Sequence, residues 1–247
     1  GKLYSWGWNY YGQLGTANTT QQTSPVAVAS AAVMGAISWV SAGYGATYAL
    51  STDGKLFAWG RNDMGQLGIS GVTVYKPTQV PLPPGATAFT HVSSGAQHVI
   101  ITTADNHVYV TGSNANGQLG DGTITTRTAL SQILRADGSA MTGQGWATDN
   151  ATYQLGTSGG VWAWGSNAYK QIGDTIAETV LRPRLIFSVD GSSGTTEPAD
   201  TTCLFSEDQI ILDDPNGTQI FNSGADDTTS SVQNIGFSFR FKGVDYS

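Results

Sequence analysis

The sequence predicts an all-β fold: a β-propeller of four-stranded blades of about 50 residues each, at least four of them visible, followed by a C-terminal β extension. Three observations predict it. A ten-residue stretch recurs at regular spacing, an apolar strand leads into each copy, and turn-forming residues bracket every strand. The stretch reads "WGWNYYGQLG" from Trp6, "WGRNDMGQLG" from Trp59, "TGSNANGQLG" from Thr111 and "WGSNAYKQIG" from Trp164, at spacings of 53, 52 and 53 residues. A period of this size marks a solenoid, a propeller or an array.

Each element of the repeat follows from residue chemistry. "KLYSW", "KLFAW", "HVYVT" and "GVWAW" lead into the anchors. Tyr4, Phe57, Tyr109 and Trp162 share a strand face with the anchor position, and Leu3, Leu56, Val108 and Val161 take the other face. A strand apolar on both faces is packed on both sides, as in a sheet held between two others. A second strand precedes it across "TDGK", "ADNH" or "SGGV", which is hairpin chemistry because Gly and Asn tolerate positive φ. Gly7, Gly60, Gly112 and Gly165 follow the anchors and let the chain leave the strand sharply. Asn9, Asn62, Asn114 and Asn167 recur three residues after the anchors. Beyond the Gln-Leu-Gly turn a polar loop leads to "SPVAV", "KPTQV", "RTALS" or "RPRLI", where Pro25, Pro77 and Pro183 open a segment suited to an edge strand. Trp6, Trp59 and Trp164 are expected to fill the gaps between blades, with a less filled gap at Thr111. The uncharged run over residues 26–43 reads as strand, loop and strand rather than a membrane span, because Ser, Gly and Ala dilute it.

On these motifs the chain resembles the regulator-of-chromosome-condensation repeat family, over residues 1 to 187. The resemblance implies a β-propeller, usually seven-bladed in that family, that serves as an interaction platform. His98 matches the family's histidine, with Thr47 and Thr152 in the equivalent places of other copies. Gly1 aligns with Gly54, so the first blade starts halfway. "TTCLFSEDQIIL" (residues 201–212) is expected to complete that blade or to begin a degenerate one, and the favoured expectation is a piece of a longer polypeptide. The expected organisation is repeats over 1–187, a ring-closing or degenerate segment over 188–212, a polar linker over 213–233 and the start of a β-sandwich module over 234–247. The last rests on "IGFSFRFKGVDYS", which is similar to the opening strand of extracellular β-sandwich modules; a strand on the propeller's flank is the alternative.

Composition bounds the function. Only 12% of residues are charged, about half the usual ~25%, and the net charge is −7. That sign disfavours a grip on nucleic-acid phosphates or anionic lipid, so neither nucleic acid nor membrane insertion is expected. Cys203 is the sole cysteine, which excludes an intrachain disulfide. His91, His98 and His107 have no metal-ligand spacing, and no nucleophile elbow, phosphate loop or zinc-protease motif occurs. No catalytic residue, cofactor or metal is therefore expected. The residues left for function are aromatics outside the repeat positions: Trp8, Tyr10, Tyr11, Tyr44, Tyr75 and Tyr169, in loops that suit a sugar or a protein. The favoured reading is a non-enzymatic structural or recognition module on a virion, tail- or fibre-like, or on a secreted bacterial surface protein with an adhesive role. Its partners would be proteins of a larger assembly or surface glycans. The alternatives are an intracellular protein-interaction propeller or nucleotide-exchange factor, and a propeller-based carbohydrate-active enzyme.

Overall fold

In the computed structural model the described residues are 3–29, 31–173, 178–188, 239–241 and 244–246. The chain divides into two units, residues 1–201 and 202–247. The first holds a two-stranded sheet and three four-stranded antiparallel sheets, one per repeat. The two-stranded sheet pairs β1 (Tyr4–Gly7) with β2 (Gln22–Ala27). The next is β3 (Ile37–Ala42), β4 (Ala46–Ser51), β5 (Leu56–Arg61) and β6 (Thr73–Gln79), in that spatial order. Then come β7 (Phe89–Ser94), β8 (His98–Thr103), β9 (Val108–Gly112) and β10 (Arg127–Gln132). The last is β11 (Gly143–Ala147), β12 (Ala151–Gly156), β13 (Val161–Ser166) and β14 (Thr179–Phe187). These are propeller blades, with β3, β7 and β11 as the inner strands that pass contacts from one sheet to the next.

Alternation along the middle strands builds the core between blades. On β4 and β5, Ala49, Phe57 and Trp59 face back and pack with Val28 and Met34. Tyr48, Leu50, Leu56 and Ala58 face forward and meet Val92, Val99 and Ile101 of the following sheet. On β8 and β9, Ile100, Val108 and Val110 turn to the last sheet and pack with Ala151, Ala163 and Trp164. Every residue of β8 and β9 is buried, which is the burial of a sheet covered on both faces.

Three details differ from the sequence reading. The run over 26–43 is not only strand and loop, since α1 (Ala31–Met34) lies in it and seats Met34 in the core. Pro25, Pro77 and Pro183 do not open the outer strands but sit within them. Pairing shifts register beside each proline, between Ser5 and Gly7, Ala58 and Gly60, and Ala163 and Gly165. A missing donor costs nothing on an edge strand at such an irregularity. Finally, His98 pairs with Gly112 as Ala46 pairs with Gly60 and Ala151 with Gly165. Ala46 and Ala151, not Thr47 and Thr152, therefore stand where His98 stands. Residues 133–146, which lead from β10 into β11, fold back on themselves through a bridge between Leu134 and Ala140.

In the second unit β15 (Phe239–Phe241) and β16 (Val244–Tyr246) form an antiparallel hairpin. The segments expected to close the ring (201–212) and to link (213–233) lie outside the described residues, as do Ile235 and Phe237.

Candidate functional site

The anchor stretch is a loop held by its own amides. The Oδ1 atoms of Asn9, Asn62, Asn114 and Asn167 accept from the backbone N–H of Leu14, Leu67, Leu119 and Ile172 at 2.9–3.0 Å. The Asn62 amide donates across the loop to Ile69 O and Gly71 O, and that of Asn114 to Thr123 O. All four asparagines are buried, so these bonds supply what water would otherwise give. The glutamine of the same stretch braces the loop's start, with Gln13, Gln66, Gln118 and Gln171 accepting through Oε1 from the N–H two residues before. The chain turns out of the strand at Gly60, at φ +100°, where a Cβ would run into Gly45 O. Gly7, Gly112 and Gly165 turn in the same way, at φ +100°, +112° and +103°.

The loop of one blade is the socket for the next. Trp59 Nε1 donates to Gln13 O, and Trp164 Nε1 to Gln118 O, both at 2.9 Å. Thr47 and Thr152 hydroxyls donate to the same two carbonyls at 2.8 Å. Gly15 and Gly120 lie flat under the indoles, where a Cβ would come within 2.7 Å of Nε1. Thr111, in the anchor place of the third copy, is also fully buried, and its hydroxyl lies 2.9 Å from Gly65 O. There Leu130 covers Gly68, and Gln66 O is taken by the Tyr48 hydroxyl at 2.7 Å. Burial pushes the Tyr48 phenol pKa far up, so it stays a donor. His98 adds a link: Nε2 lies 2.9 Å from Thr152 Oγ1, which has given its proton to Gln118 O. Thr152 therefore accepts from Nε2–H and leaves Nδ1 bare, buried and without a hydrogen-bond partner. Burial lowers the His98 pKa to about 4.

Trp6 occupies the same place in the first copy but is 60% exposed, against 0% for Trp59 and Trp164. Four of the six loop aromatics come together, three of them beside it in sequence. Trp8 stacks on Tyr10 at 6.0 Å between centroids, with planes 11° apart. Tyr11 and Tyr44 meet Trp8 edge-on at 5.5 and 5.9 Å, and Tyr11 meets Tyr10 at 5.0 Å. The loop between β1 and β2 supplies three rings, and the loop between β3 and β4 supplies the fourth. Gly45 permits the approach, since a Cβ there would crowd Tyr11 and Arg61. Arg61, at the end of β5, lays its guanidinium over the Tyr11 ring at 5.0 Å and pairs with Asp63 at 2.6 Å. Gln97, with its amide oxygen turned to the guanidinium, accepts from it at 2.9 and 3.1 Å. Partial burial works to raise the Asp63 pKa, but the Arg61 hydrogen bond and charge outweigh it and hold it low. Trp8, Tyr10 and Tyr44 nonetheless remain 45%, 67% and 60% exposed. Tyr75 is not in this cluster; it packs on Gly12 from β6. Tyr169 stands exposed on the last copy's loop.

A second aromatic group escaped the sequence reading. On the inner strands, His91 lies between Trp39 and Trp146, at 5.4 and 5.8 Å between centroids, and accepts at Nδ1 from the Gln144 amide. Trp39 Nε1 donates to Val92 O of the neighbouring blade. Trp39, His91 and Gln144 stand at matching depths of successive inner strands, paired with Leu50, Thr102 and Leu155, and that spacing was the available signal. Among the described residues no three His, Cys, Asp or Glu side chains are grouped to hold a metal ion, and no helix is long and apolar enough to cross a membrane.

A stack of four-stranded blades locked by tryptophan, glutamine and glycine defines a repeat propeller. The regulator of chromosome condensation (RCC1) repeat model matches residues 1–50 and 53–101, and a second model of that repeat matches 38–66 and 89–118. The chain belongs to the regulator-of-chromosome-condensation repeat family. It is 36% identical over 143 residues to the ultraviolet-B receptor UVR8 of Arabidopsis thaliana, covering 57% of this chain and 32% of that protein. It is 28% identical over 236 residues to protein RCC2 of Mus musculus, covering 85% and 45%. The probable E3 ubiquitin-protein ligase HERC6 of Homo sapiens is 35% identical over 141 residues, covering 56% of this chain and 14% of the ligase. The chain thus spans less than half the length of these relatives. Human WBSCR16 superposes with a TM-score of 0.67 at 22% identity, over 76% of this chain and 49% of that one. Prp20p of Saccharomyces cerevisiae, whose structure is described with its binding to Gsp1p and histones, gives 0.65 at 19%, over 76% and 47%. At these identities the superpositions speak for the fold alone.

The relatives correct the favoured functional reading. They are RCC1-like intracellular proteins, mostly non-enzymatic regulators with E3 ligases among them, so the virion, phage-tail, adhesive and extracellular assignments are withdrawn. Surface glycans find no support either, whereas RCC1-like propellers do bind proteins. The error has a physical source. Low charge and polar composition do not mark a compartment, because the loops use their Asn and Thr side chains internally. Asn9, Thr16, Asn18 and Thr20 bond to one another, as do Asn114, Asp121 and Thr123.

Proposed function

We propose that the chain is the blade array of an intracellular, non-enzymatic protein-interaction propeller, and that the loops bearing Trp8, Tyr10, Tyr11 and Tyr44 contact its partner. One observation carries this reading: the rings of Trp8, Tyr10, Tyr11 and Tyr44 gather where two loops meet, and Trp8, Tyr10 and Tyr44 stay largely exposed, while Trp59 and Trp164 are buried between blades. Exposed Trp and Tyr clusters of this kind are the usual energetic centres of protein interfaces. Beneath them Arg61 is held in place by Asp63 and Gln97, which suits a rigid platform rather than a reacting centre. The relatives' intracellular nature supports the compartment. An exchange-factor activity would rest on likeness of fold alone, and fold does not fix function.

The test is site-specific photo-crosslinking in intact source cells, with a benzophenone side chain in place of Tyr10 or Tyr44, and in place of Tyr169 as control. We expect one protein, identified by mass spectrometry, at positions 10 and 44 and not at 169, and its capture lost on Trp8→Ala. No captured protein, or equal capture from all three positions, would overturn the reading.

A further inference from the structure

We infer that the face of the β11–β14 sheet turned away from β7–β10 docks a further blade of this repeat, and that it admits only a blade built like β7–β10, with a small anchor in place of tryptophan. The face matches, residue for residue, one that is already covered. Tyr48, Leu50 and Leu56 of the β3–β6 sheet, with Val80 just past it, are buried against the β7–β10 sheet. Tyr153, Leu155 and Val161 hold the same places in the last sheet, since Tyr48 pairs with Ala58 as Tyr153 pairs with Ala163. Ile186 follows Pro183 by three residues, as Val80 follows Pro77. All four of these residues of the last sheet are only half-buried.

Two kinds of joint occur in the chain, and the donors that reach one carbonyl separate them. A carbonyl oxygen has two lone pairs. In the first kind the arriving blade fills both. Trp59 Nε1 and the Thr47 hydroxyl go to Gln13 O, and Trp164 Nε1 and the Thr152 hydroxyl go to Gln118 O. At the Gln118 joint the receiving sheet has Ile100, which donates nothing, in the place of Tyr48. In the second kind the receiving sheet itself supplies a donor, Tyr48, to Gln66 O. The arriving blade then carries Val99 where Thr47 and Thr152 stand, and Thr111 where the tryptophans stand. The Thr111 hydroxyl lies instead at 2.9 Å from Gly65 O and 2.7 Å from Arg127 O. Leu130 comes over Gly68 as the indoles lie over Gly15 and Gly120, and it precedes Ile133 by three residues, the place of the prolines in the other copies. Tyr48, Val99, Thr111 and Leu130 are thus one matched set. The last sheet is of this second kind, because the Tyr153 hydroxyl donates to Gln171 O at 2.8 Å. One lone pair is left there. A blade arriving with Trp and Thr brings two donors to it, and one is buried unpaired; a blade arriving with Val and Thr brings none. A second copy of this chain would bring Trp6 on a sheet that has two strands among the described residues, with no counterpart of the strand that carries Val99.

The test repeats one blade inside the intact chain. Val28, Val80 and Ile133 donate their N–H to Leu3, Leu56 and Val108 in turn, and Ile186 stands at the same point of the last copy. Residues 81–133, the blade of Thr111, or residues 29–80, the blade of Trp59, are therefore duplicated directly after Ile186. We expect the 81–133 duplicate to slow hydrogen exchange in β12 and β13 by at least roughly tenfold, because openings there then break more packing. The 29–80 duplicate should leave exchange unchanged, and should slow it once Tyr153→Ile gives the face the residue found at 100. Equal slowing by both duplicates, no slowing by 81–133, or no rescue by Tyr153→Ile would overturn the inference. So would dimers of the unaltered chain in analytical ultracentrifugation that Tyr153→Ala abolishes. The existing joint gives a second measurement that needs no duplicate. Thr111→Trp should lower the melting temperature, and adding Tyr48→Ile should restore part of the loss. A double variant no more stable than Thr111→Trp alone overturns the matched set.

Discussion

At the scale of single residues, one side chain does different things depending on what lies over it. Trp59 and Trp6 have the same place in their repeats, yet Trp59 is sealed against Gly15 and Gln13 O while Trp6 is mostly in water. Trp59→Ala removes a fully buried indole and leaves a cavity, and we expect a loss of about 3–5 kcal/mol in urea unfolding. Trp6→Ala should cost no more than about 0.5 kcal/mol, as surface changes usually do. Equal losses would mean that the socket is not what holds Trp59. Lys170 gives a prediction of opposite sign. It stands at φ 62° in the place of Gly12, Gly65 and Gly117, a left-handed conformation that costs a side-chain-bearing residue roughly 1–2 kcal/mol. Lys170→Gly should therefore raise stability, by up to about 1 kcal/mol once the added freedom of the unfolded chain is subtracted. Unfolding midpoints of the two proteins decide it.

Among the elements, the joint between the β7–β10 and β11–β14 sheets differs from the joint before it by a buried histidine. His98 hands a hydrogen bond to Thr152, which hands one to Gln118 O, where Trp164 also ends. Burial holds the His98 pKa near 4, below the 6.5 of a free imidazole. The unfolded chain thus takes up a proton between pH 6.5 and 4 that the folded chain does not. Stability from this group is complete above pH 6.5, declines as pH falls, and is gone below about 4, a loss of about 3 kcal/mol. His98→Ala, the residue that the neighbouring copies carry at 46 and 151, should flatten the pH dependence of unfolding across that window. An unchanged slope would place the titration elsewhere. The strands themselves were legible because the anchors recur and because Leu56 and Phe57 alternate into opposite interfaces. The alignment of Thr47 and Thr152 with His98 was not, since a one-residue offset leaves the repeat spacing intact and only the pairing of His98 with Gly112 exposes it. The cluster was half legible: Trp8, Tyr10 and Tyr11 are neighbours in sequence, but Tyr44 joins them only through the meeting of two loops. Nothing local distinguishes it from Tyr75, which packs away on β6.

Across the molecule, each blade is stable through its neighbours, so protection should follow the number of covered faces rather than strand length or composition. β5 and β9 are buried along nearly their whole length, and the cores on the two faces of their sheets are separate clusters, with β4 and β5 contributing to two of them and β8 likewise to two. β1 has the same sequence pattern as β5 and pairs with β2 in the same way, but it lacks the cover and alternates between exposed and half-buried. β14, the longest of the described strands at nine residues, is likewise half-covered. Local openings that expose a strand cost free energy in proportion to the packing they break. Native-state hydrogen exchange should therefore rank the backbone amides of β5, β8 and β9 slowest, β13 next, and β1, β2 and β14 fastest, although all these strands are hydrogen-bonded. Trp59→Ala should speed exchange in β4 and β5 and in the Gln13 loop that receives the indole, and leave β12 and β13 unchanged. A uniform change over all sheets would show that the array opens as one unit, and the blade-by-blade account of its stability would then be wrong.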